Sequence, residues 1–290
     1  MRGATVRSVR WEGTLQRVWD FPPVDREDAL GGRTIVMVHG FRGDHHGLLR
    51  LLEELPAHRV ILPDLPGFGQ GQELRGTHDV ATYARFITDT TRSLAPEPPV
   101  LLGHSFGSIV AAEAAALAPG LAGSLVLVNP ISAPALEGPS RIASRVAEGY
   151  YLAADRLPEA AGRALLANPV IVRAMSVFMA KTRDRTLRRW IHAQHDAYFS
   201  SFASRRVVLE AFRSSISGTV RDRAHQLDIP VLLIAAEQDD IGSVASQREL
   251  AALMPNATLD VIGDVGHLVH YEKPRDAARL IETFLEGVSA

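Results

Sequence analysis

Residues 100–118, VLLGHSFGSIVAAEAAALA, change character halfway along their length. The stretch begins as an apolar run, which is typical of a buried strand, and it ends as an alanine-rich segment, which is typical of a helix. Ser105 stands at the junction, with Gly103 and Gly107 two places to either side. Either the glycines only allow a tight turn, or the turn exists to expose the serine.

The same alternation of apolar runs and helical segments continues on both sides of this stretch. Continuous apolar runs indicate strands buried on both faces, and helices between them predict a mostly parallel sheet covered by helices on both faces. Before the first such run, residues 5–11 and 14–21 predict an antiparallel pair around Glu12 and Gly13. The other predicted strands are RTIVMVHGF (33–41), HRVILPDLPGFG (58–69), GSLVLVNP (123–130), IPVLLIAAEQDD (229–240) and ATLDVIGDVGH (257–267).

The alternation of predicted strands and helices stops between residues 131 and 222, where helical segments follow one another without a convincing β-run. We therefore expect an α/β core formed by residues 1–130 and 223–290, and a helical cap inserted at 131–222.

Composition excludes several kinds of function. The chain of 290 residues has 31 Lys+Arg against 33 Asp+Glu, so its overall charge predicts no nucleic-acid or membrane partner. It has no cysteine, which excludes disulfides, thiolate zinc sites and a cysteine nucleophile. The N-terminus lacks the apolar core of a secretory signal, so a cytoplasmic protein is expected. We expect a small-molecule substrate and a monomer or homodimer.

The stretch Gly103-His104-Ser105-Phe106-Gly107 matches the pattern G-x-S-x-G in a strand–turn–helix context. In this respect the chain resembles the α/β-hydrolase superfamily, in the capped subgroup that includes esterases, lactonases and carbon–carbon bond hydrolases. The resemblance implies an α/β-hydrolase fold with Ser105 as nucleophile at the carboxyl edge of the sheet. A haloalkane dehalogenase is disfavoured, because that relative has an aspartate at this place.

A serine hydroxyl needs a base and an orienting acid, and the family order is serine, acid, histidine. Residues 236–239, Ala-Glu-Gln-Asp, resemble the Gly-Glu-x-Asp of the family's acid loop and select Asp239, with Asp240 as the alternative. The segment GDVGHLVHYEKP (263–274) resembles the histidine loop and selects His267. His270 is expected to be solvated or to cap a helix.

The resemblance also implies two backbone N–H groups that stabilise the developing oxyanion. One belongs to Phe106, which follows the nucleophile. The other is assigned to Phe41, because VMVHGFRG (36–43) matches the short His-Gly version of the family's oxyanion loop.

Other polar and aromatic residues are weaker candidates. Asp44, His45 and His46 could bind a metal, but no further convergent ligands are evident, and no metal or cofactor is expected. Asp64 is interpreted as part of a structural loop. His192, His195 and Asp196 share a helical face that we interpret as ordinary helix surface, with a substrate-facing patch as the alternative. Candidates for the substrate pocket are His104, Trp190, Phe178 and Met179.

Taken with the resemblance, these residues predict a serine hydrolase that cleaves a carboxylic ester or lactone of a small to medium, largely apolar substrate through an acyl-enzyme. Carbon–carbon bond hydrolysis of a diketone or dienoate-type substrate is the first alternative. The second is a non-catalytic, ligand-binding homologue, since the same fold can carry different functions.

Overall fold

Eight strands form a single sheet in the described part of this computed structural model, which covers residues 2–24, 32–134 and 141–288. Their spatial order is β1-β2-β4-β3-β5-β6-β7-β8. β2 is antiparallel to its neighbours β1 and β4, and every other neighbouring pair is parallel. The predicted mostly parallel sheet is confirmed. The strands are β1 (Thr5–Trp11), β2 (Thr14–Phe21), β3 (Thr34–Val38), β4 (Arg59–Pro63), β5 (Val100–His104), β6 (Ser124–Val128), β7 (Val231–Ala236) and β8 (Ala257–Ile262).

Helices connect the strands and cover both faces of the sheet, as predicted. In chain order they are α1 (Leu49–Glu53), α2 (Val80–Leu94), α3 (Phe106–Leu117), α4 (Arg141–Arg156), α5 (Glu159–Leu166), α6 (Pro169–Met179), α7 (Arg185–Tyr198), α8 (Arg205–Ser217), α9 (Val244–Ala252), α10 (Val269–Glu272) and α11 (Pro274–Val288). Among these described helices, none is both long and apolar enough to cross a membrane.

The central strands are buried on both faces because successive side chains point to opposite sides. In β3, Val36 packs into the core that includes residues of α2 and α3, whereas Ile35 packs into the core that includes residues of α1 and α11. In β5, Leu101 and Leu102 divide in the same way. This double burial explains why the predicted strands are continuous apolar runs rather than alternating ones.

The sheet also fixes where a ligand can bind. β3 lies between β4 and β5, so the strand order reverses at this point. In parallel α/β sheets, a crevice opens beyond the carboxyl ends of the strands at such a switch point. The loops after β3 and β5, which carry Phe41 and Ser105, therefore lie side by side.

The helices α4 to α8 fall between β6 and β7, in the segment 131–222 that was predicted as an inserted cap. Residues 135–140 of that segment lie outside the described residues. The segment meets the core where the Gly69 N–H donates to the Ser201 carbonyl (2.8 Å) and the Ala203 N–H donates to the Gly67 carbonyl (2.8 Å). The name "cap helices" is used below for α4–α8, and their role as a cap over the site stays a prediction.

Candidate active site

Ser105 sits at the sharp turn between β5 and α3, with φ 54° and ψ −121°. This is a conformation that non-glycine residues seldom adopt. The flanking glycines are needed because α3 packs very closely against β3 and β5. A Cβ atom on Gly107 would lie 2.2 Å from the Val38 carbonyl oxygen, and one on Gly103 would lie 2.3 Å from the Gly107 carbonyl oxygen. The glycines thus allow the packing that holds Ser105 in its strained turn.

The His267 imidazole lies between Ser105 and an acid. Its Nε2 is 2.8 Å from Ser105 Oγ, and its Nδ1 is 2.9 Å from Asp239 Oδ2. Because an ionised carboxylate only accepts hydrogen bonds, the Nδ1–H donates to Asp239 and leaves Nε2 to accept the hydroxyl proton. The histidine is 6% exposed, so little water competes for either bond. The arrangement can deprotonate the serine as it attacks an electrophile.

Asp239 and Asp240 have different surroundings in the structure, and only Asp239 contacts His267. Asp239 Oδ2 accepts from His267 and from Asn129 Nδ2 (2.7 Å), and its Oδ1 accepts from the Ile241 N–H (2.8 Å). Asp240 turns outward and forms an ion pair with Lys181. Burial alone would raise the pKa of Asp239, but the charge of His267 and these hydrogen bonds lower it overall. Asp239 is therefore held as a carboxylate against the imidazole.

Asn129 was not singled out from the sequence. It follows β6 directly and has a positive φ of 47°, a conformation that asparagine tolerates better than most residues. Its own N–H donates to the Ile234 carbonyl (2.7 Å), which ties the ends of β6 and β7 together beside Asp239. An asparagine at the carboxyl end of a parallel strand is the one signal that could have identified it.

The loop after β3 brings Phe41 beside the serine. A turn closed by the Gly43 N–H and the Gly40 carbonyl (3.0 Å) has Phe41 at its first central position, whose N–H takes no part in that bond. A Cβ atom on Gly40 would lie 3.3 Å from Ser105 Cβ, so the two loops are in contact. Phe106 opens α3, and the first N–H groups of a helix have no acceptor within it. Both predicted oxyanion residues thus lie next to Ser105.

Two further histidines pack beneath the histidine loop. His104 Nε2–H donates to the His267 carbonyl (3.1 Å), so this side chain supports the loop. The prediction that His270 is solvated or caps a helix is wrong, because His270 is 4% exposed and its ring centre lies 4.0 Å from that of His104. Burial lowers the pKa of His104 to about 3, with the charge of His267 acting in the same direction. Both His104 and His270 are therefore neutral near pH 7.

The other candidates for the substrate pocket lie on α6 and α7. Met179 and Trp190 pack against a small core that contains Tyr271, and the Trp190 ring meets Tyr271 edge-on with centres 5.2 Å apart. Phe178 is 57% exposed and lies beneath the ammonium group of Lys181. None of these contacts involves Ser105. The assignment of these three residues, and of His104, to a substrate pocket stays a prediction.

The Asp44, His45 and His46 side chains offer donor atoms within 4.8 Å of one another, but each is already engaged in the protein. Asp44 Oδ1 accepts from the His46 N–H (2.9 Å), and His45 Nδ1 bonds Asp64 Oδ1 (2.9 Å). The fully buried Asp64 also accepts from the Gln70 N–H (2.8 Å). The group therefore fixes the loops after β3 and β4, which agrees with a structural role for Asp64.

His192 and His195 are not ordinary helix surface, contrary to the preferred interpretation of the sequence. Both are buried between α6 and α7, where their Nδ1 atoms lie 2.6 and 2.7 Å from Ser176 Oγ. Their i, i+3 spacing does place them on one face of the helix, as predicted. Sequence periodicity does not show whether a face made of histidines points to solvent or to a neighbouring helix.

Arg42 is a second buried residue that the sequence did not reveal. It is 1% exposed and has a φ of 58°. Its guanidinium donates to the carbonyls of Phe199 (3.1 Å) and Leu166 (2.8 Å), at the ends of α7 and α5. It also lies beside the Tyr150 and Tyr151 hydroxyls, where its charge opposes the burial that raises the pKa of both tyrosines. A cation is favourable at helix C-termini. Arg42 therefore links the loop of Phe41 to the cap helices.

These features agree with comparisons to known proteins. The family model described as alpha/beta hydrolase fold matches residues 33–274. The chain belongs to the α/β-hydrolase fold family.

Relatives within this family are named for different activities. The chain is 24% identical to an uncharacterized hydrolase, YugF, of Bacillus subtilis, over 88% of this chain and 91% of that protein. It is also 24% identical to a putative 2-succinyl-6-hydroxy-2,4-cyclohexadiene-1-carboxylate synthase of the same organism, over 90% of this chain and 93% of that protein. A thermophilic esterase structure from Thermogutta terrifontis has a TM-score of 0.74 at 22% identity, covering 100% of both chains. Family and neighbours together support a hydrolase.

Proposed function

We propose that this α/β hydrolase is a serine hydrolase that cleaves carboxylic esters or lactones through an acyl-enzyme. The observation that carries the proposal is the continuous chain of hydrogen bonds from Ser105 through His267 to Asp239, at the carboxyl edge of the sheet. Nucleophile, base and orienting acid are each within hydrogen-bonding distance of the next, which is the arrangement that activates a serine hydroxyl.

In the proposed reaction, Ser105 Oγ attacks the ester carbonyl carbon as its proton passes to His267 Nε2. The N–H groups of Phe41 and Phe106 stabilise the oxyanion, and Asp239 stabilises the imidazolium. Collapse of the intermediate expels the alcohol, which takes the proton from His267, and leaves an acyl group on Ser105. His267 then accepts a proton from water as the water oxygen attacks the acyl carbon. The bond from the acyl carbon to Ser105 Oγ breaks, His267 returns its proton to that oxygen, and the carboxylic acid is released. No step requires a metal or a cofactor.

The surroundings of Phe41 favour a largely apolar substrate. Its ring makes aromatic contacts with neighbours from the core and the cap helices, at centre-to-centre distances of 5.7 to 6.5 Å. These rings are Phe68, Phe106, Tyr151 and Phe212. An apolar group bound beside them would lose contact with water while its carbonyl lies near the oxyanion N–H groups.

A fluorophosphonate probe tests the proposal, because it modifies serine only where the hydroxyl is activated. We expect stoichiometric labelling that peptide mapping places on Ser105, with none in Ser105→Ala or in the denatured protein. Failure of the folded protein to label would contradict the mechanism. Loss of ester turnover in Ser105→Ala with retained ligand binding would exclude a homologue that only binds.

Carbon–carbon bond hydrolysis is a second candidate, and the buried cation of Arg42 is the observation that favours it. A buried guanidinium that forms no salt bridge with a described residue, one residue from Phe41, suits an acidic substrate that would replace its tyrosine neighbours. Short esters, lactones and a dienoate-type diketone acid should be compared by kcat/KM. A larger value for the esters supports the first candidate, and a larger value for the diketone acid supports the second.

A further inference from the structure

The cap helix α6 has an exposed apolar face. Its sequence, PVIVRAMSVFM, contains eight apolar residues out of eleven. Val172 and Ser176 point inward and are buried, with Ser176 bonded to the histidines of α7. The opposite side carries the exposed residues Val170, Ala174, Val177 and Phe178, which are named here the α6 outer face.

Spacing places these four side chains together. Positions 170, 174, 177 and 178 fall on one side of a helix, and three of them expose large apolar groups: Val170 is 74% exposed, Val177 56% and Phe178 57%. A helix that packs on one side only would ordinarily carry polar residues on the other. A contiguous exposed apolar face of this kind marks an interaction site more often than a scattered set does.

Positive charge surrounds the α6 outer face. From residue 173 to residue 196 the sequence has six cations against two acids. Arg173 lies on the face itself and pairs with Asp196, and Lys181 lies over the Phe178 ring and pairs with Asp240.

Three more cations of this segment have no acidic partner among the described residues. Arg183, Arg185 and Arg189 are exposed and form no salt bridge with a described residue. The contacts of Arg173 with Asp196 and of Ser176 with His192 show that α6 and α7 pack antiparallel. The beginning of α7, with Arg185 and Arg189, therefore lies near the end of α6. These three arginines are called the arginine rim below.

An apolar face with a cationic rim matches an anionic lipid surface. The side chains of Val170, Val177 and Phe178 can enter the acyl boundary while the arginine rim meets the phosphate groups. A second copy of the chain fits less well, since two-fold pairing through this face would bring each arginine rim near its counterpart and like charges repel.

We propose that the α6 outer face and the arginine rim bind the protein reversibly to anionic phospholipid surfaces. The overall charge of the chain predicts no membrane partner, but binding depends on the local distribution of charge, which the average conceals. The binding would place α6 and the first part of α7 against the lipid. It does not depend on the chemistry of Ser105.

Co-sedimentation of the full chain with vesicles tests the proposal. Phosphatidylcholine vesicles with and without phosphatidylserine are compared, using Ser105→Ala so that no lipid is hydrolysed during the measurement. We expect binding to the vesicles that contain phosphatidylserine, and loss of binding as salt rises. Absence of binding at low salt would overturn the proposal without bearing on the proposed hydrolase function.

Matched variants locate the binding surface. Val170→Gln with Val177→Gln should weaken binding about tenfold or more, whereas Val146→Gln, at an equally exposed valine of α4, should leave binding unchanged. Equal binding by the double variant and the wild type would overturn the proposal. Thermal unfolding confirms that the variants are folded.

A second set of variants tests the charge. Replacing the three arginines of the rim by glutamine should weaken binding and reduce its salt dependence, whereas Arg275→Gln with Arg279→Gln, at exposed arginines of α11, should have little effect. Light scattering tests the other possible occupant of the α6 outer face, a second copy of the chain. A wild-type dimer that becomes monomeric in Val170→Gln with Val177→Gln would assign the face to a second copy and contradict lipid binding.

Discussion

At the scale of single residues, the site depends on which side chain a loop turns inward. Asp239 and Asp240 are neighbours of identical chemistry after β7, and the family-like segment selects Asp239 with Asp240 as the alternative. The hydrogen bonds to Asp239 from Asn129 and from the Ile241 N–H orient it toward His267, while Lys181 draws Asp240 outward. The choice is therefore made by groups from three places in the chain: the residue after β6, the loop after β7 and the connection between α6 and α7.

Asparagine substitution separates the two acids. Asp239→Asn should lower kcat for a short ester about 10⁴-fold, because a neutral amide neither stabilises the imidazolium nor fixes the tautomer of His267. Asp240→Asn, whose side chain is exposed and bonded to Lys181, should change kcat less than about threefold. Steady-state kinetics on both variants checks this, and equal losses in the two would contradict the assignment.

At the scale of elements, the turn at Ser105 depends on how closely α3 approaches β3 and β5. No side chain fits at Gly107, where the nearest atom is a backbone oxygen of β3 that has no room to move. By contrast, Gly149 lies in α4, and a Cβ atom added there would have no neighbouring atom within 4 Å. The two glycines are thus both helical but differ in their surroundings.

Alanine substitution at these glycines should have opposite effects on the free energy of unfolding. Gly107→Ala should lose about 3 kcal/mol or more, or fail to fold, because β3 and α3 must separate. Gly149→Ala should gain about 0.5–1 kcal/mol, since alanine favours helix. Chemical denaturation gives both values. Wild-type stability in Gly107→Ala would show that the close approach of α3 to β3 is incorrect.

At the scale of the whole molecule, a set of buried neutral histidines joins the core to the cap helices. His104 and His270 lie under the histidine loop, Tyr271 lies between His270 and His195, and His195 bonds Ser176 on α6. Burial, together with the charge of His192, lowers the pKa of His195 to about 4. A ring whose Nδ1 accepts the Ser176 hydroxyl proton must be neutral, and burial lowers the pKa of both His192 and His195.

Stability should therefore fall in acid. With pKa values of about 3 for His104 and about 4 for His195 against 6.5 when unfolded, the unfolded chain binds more protons between these values. Stability is complete above pH 6.5 and declines as the pH drops toward 4, by about 1–3 kcal/mol for each such histidine. Urea unfolding at several pH values measures the slope. His195→Gln should flatten it, whereas His225→Gln, at an exposed histidine, should not, and equal slopes in all three proteins would contradict the account.

Much of the fold and part of the candidate site could be predicted from short stretches of the sequence. The strands, the helix-rich segment and the loops of Ser105 and His267 were predicted because each depends on residues close together in the chain. Asn129 and Arg42 were not, since their roles arise only where β6 meets β7 and where the cap helices meet the core. The error at His270 has the same origin, because its position in the chain does not reveal that α10 buries it against His104.

The central claim is that Ser105 carries the acyl group, and rapid quenching with intact-mass measurement tests it most directly. Mixed with excess p-nitrophenyl acetate, the wild-type protein should release a burst of p-nitrophenol of about one equivalent and gain one acetyl group on Ser105. Ser105→Ala should show neither. Continued turnover by Ser105→Ala at the wild-type rate, or turnover by the wild type with the acetyl group on another residue, would contradict the account.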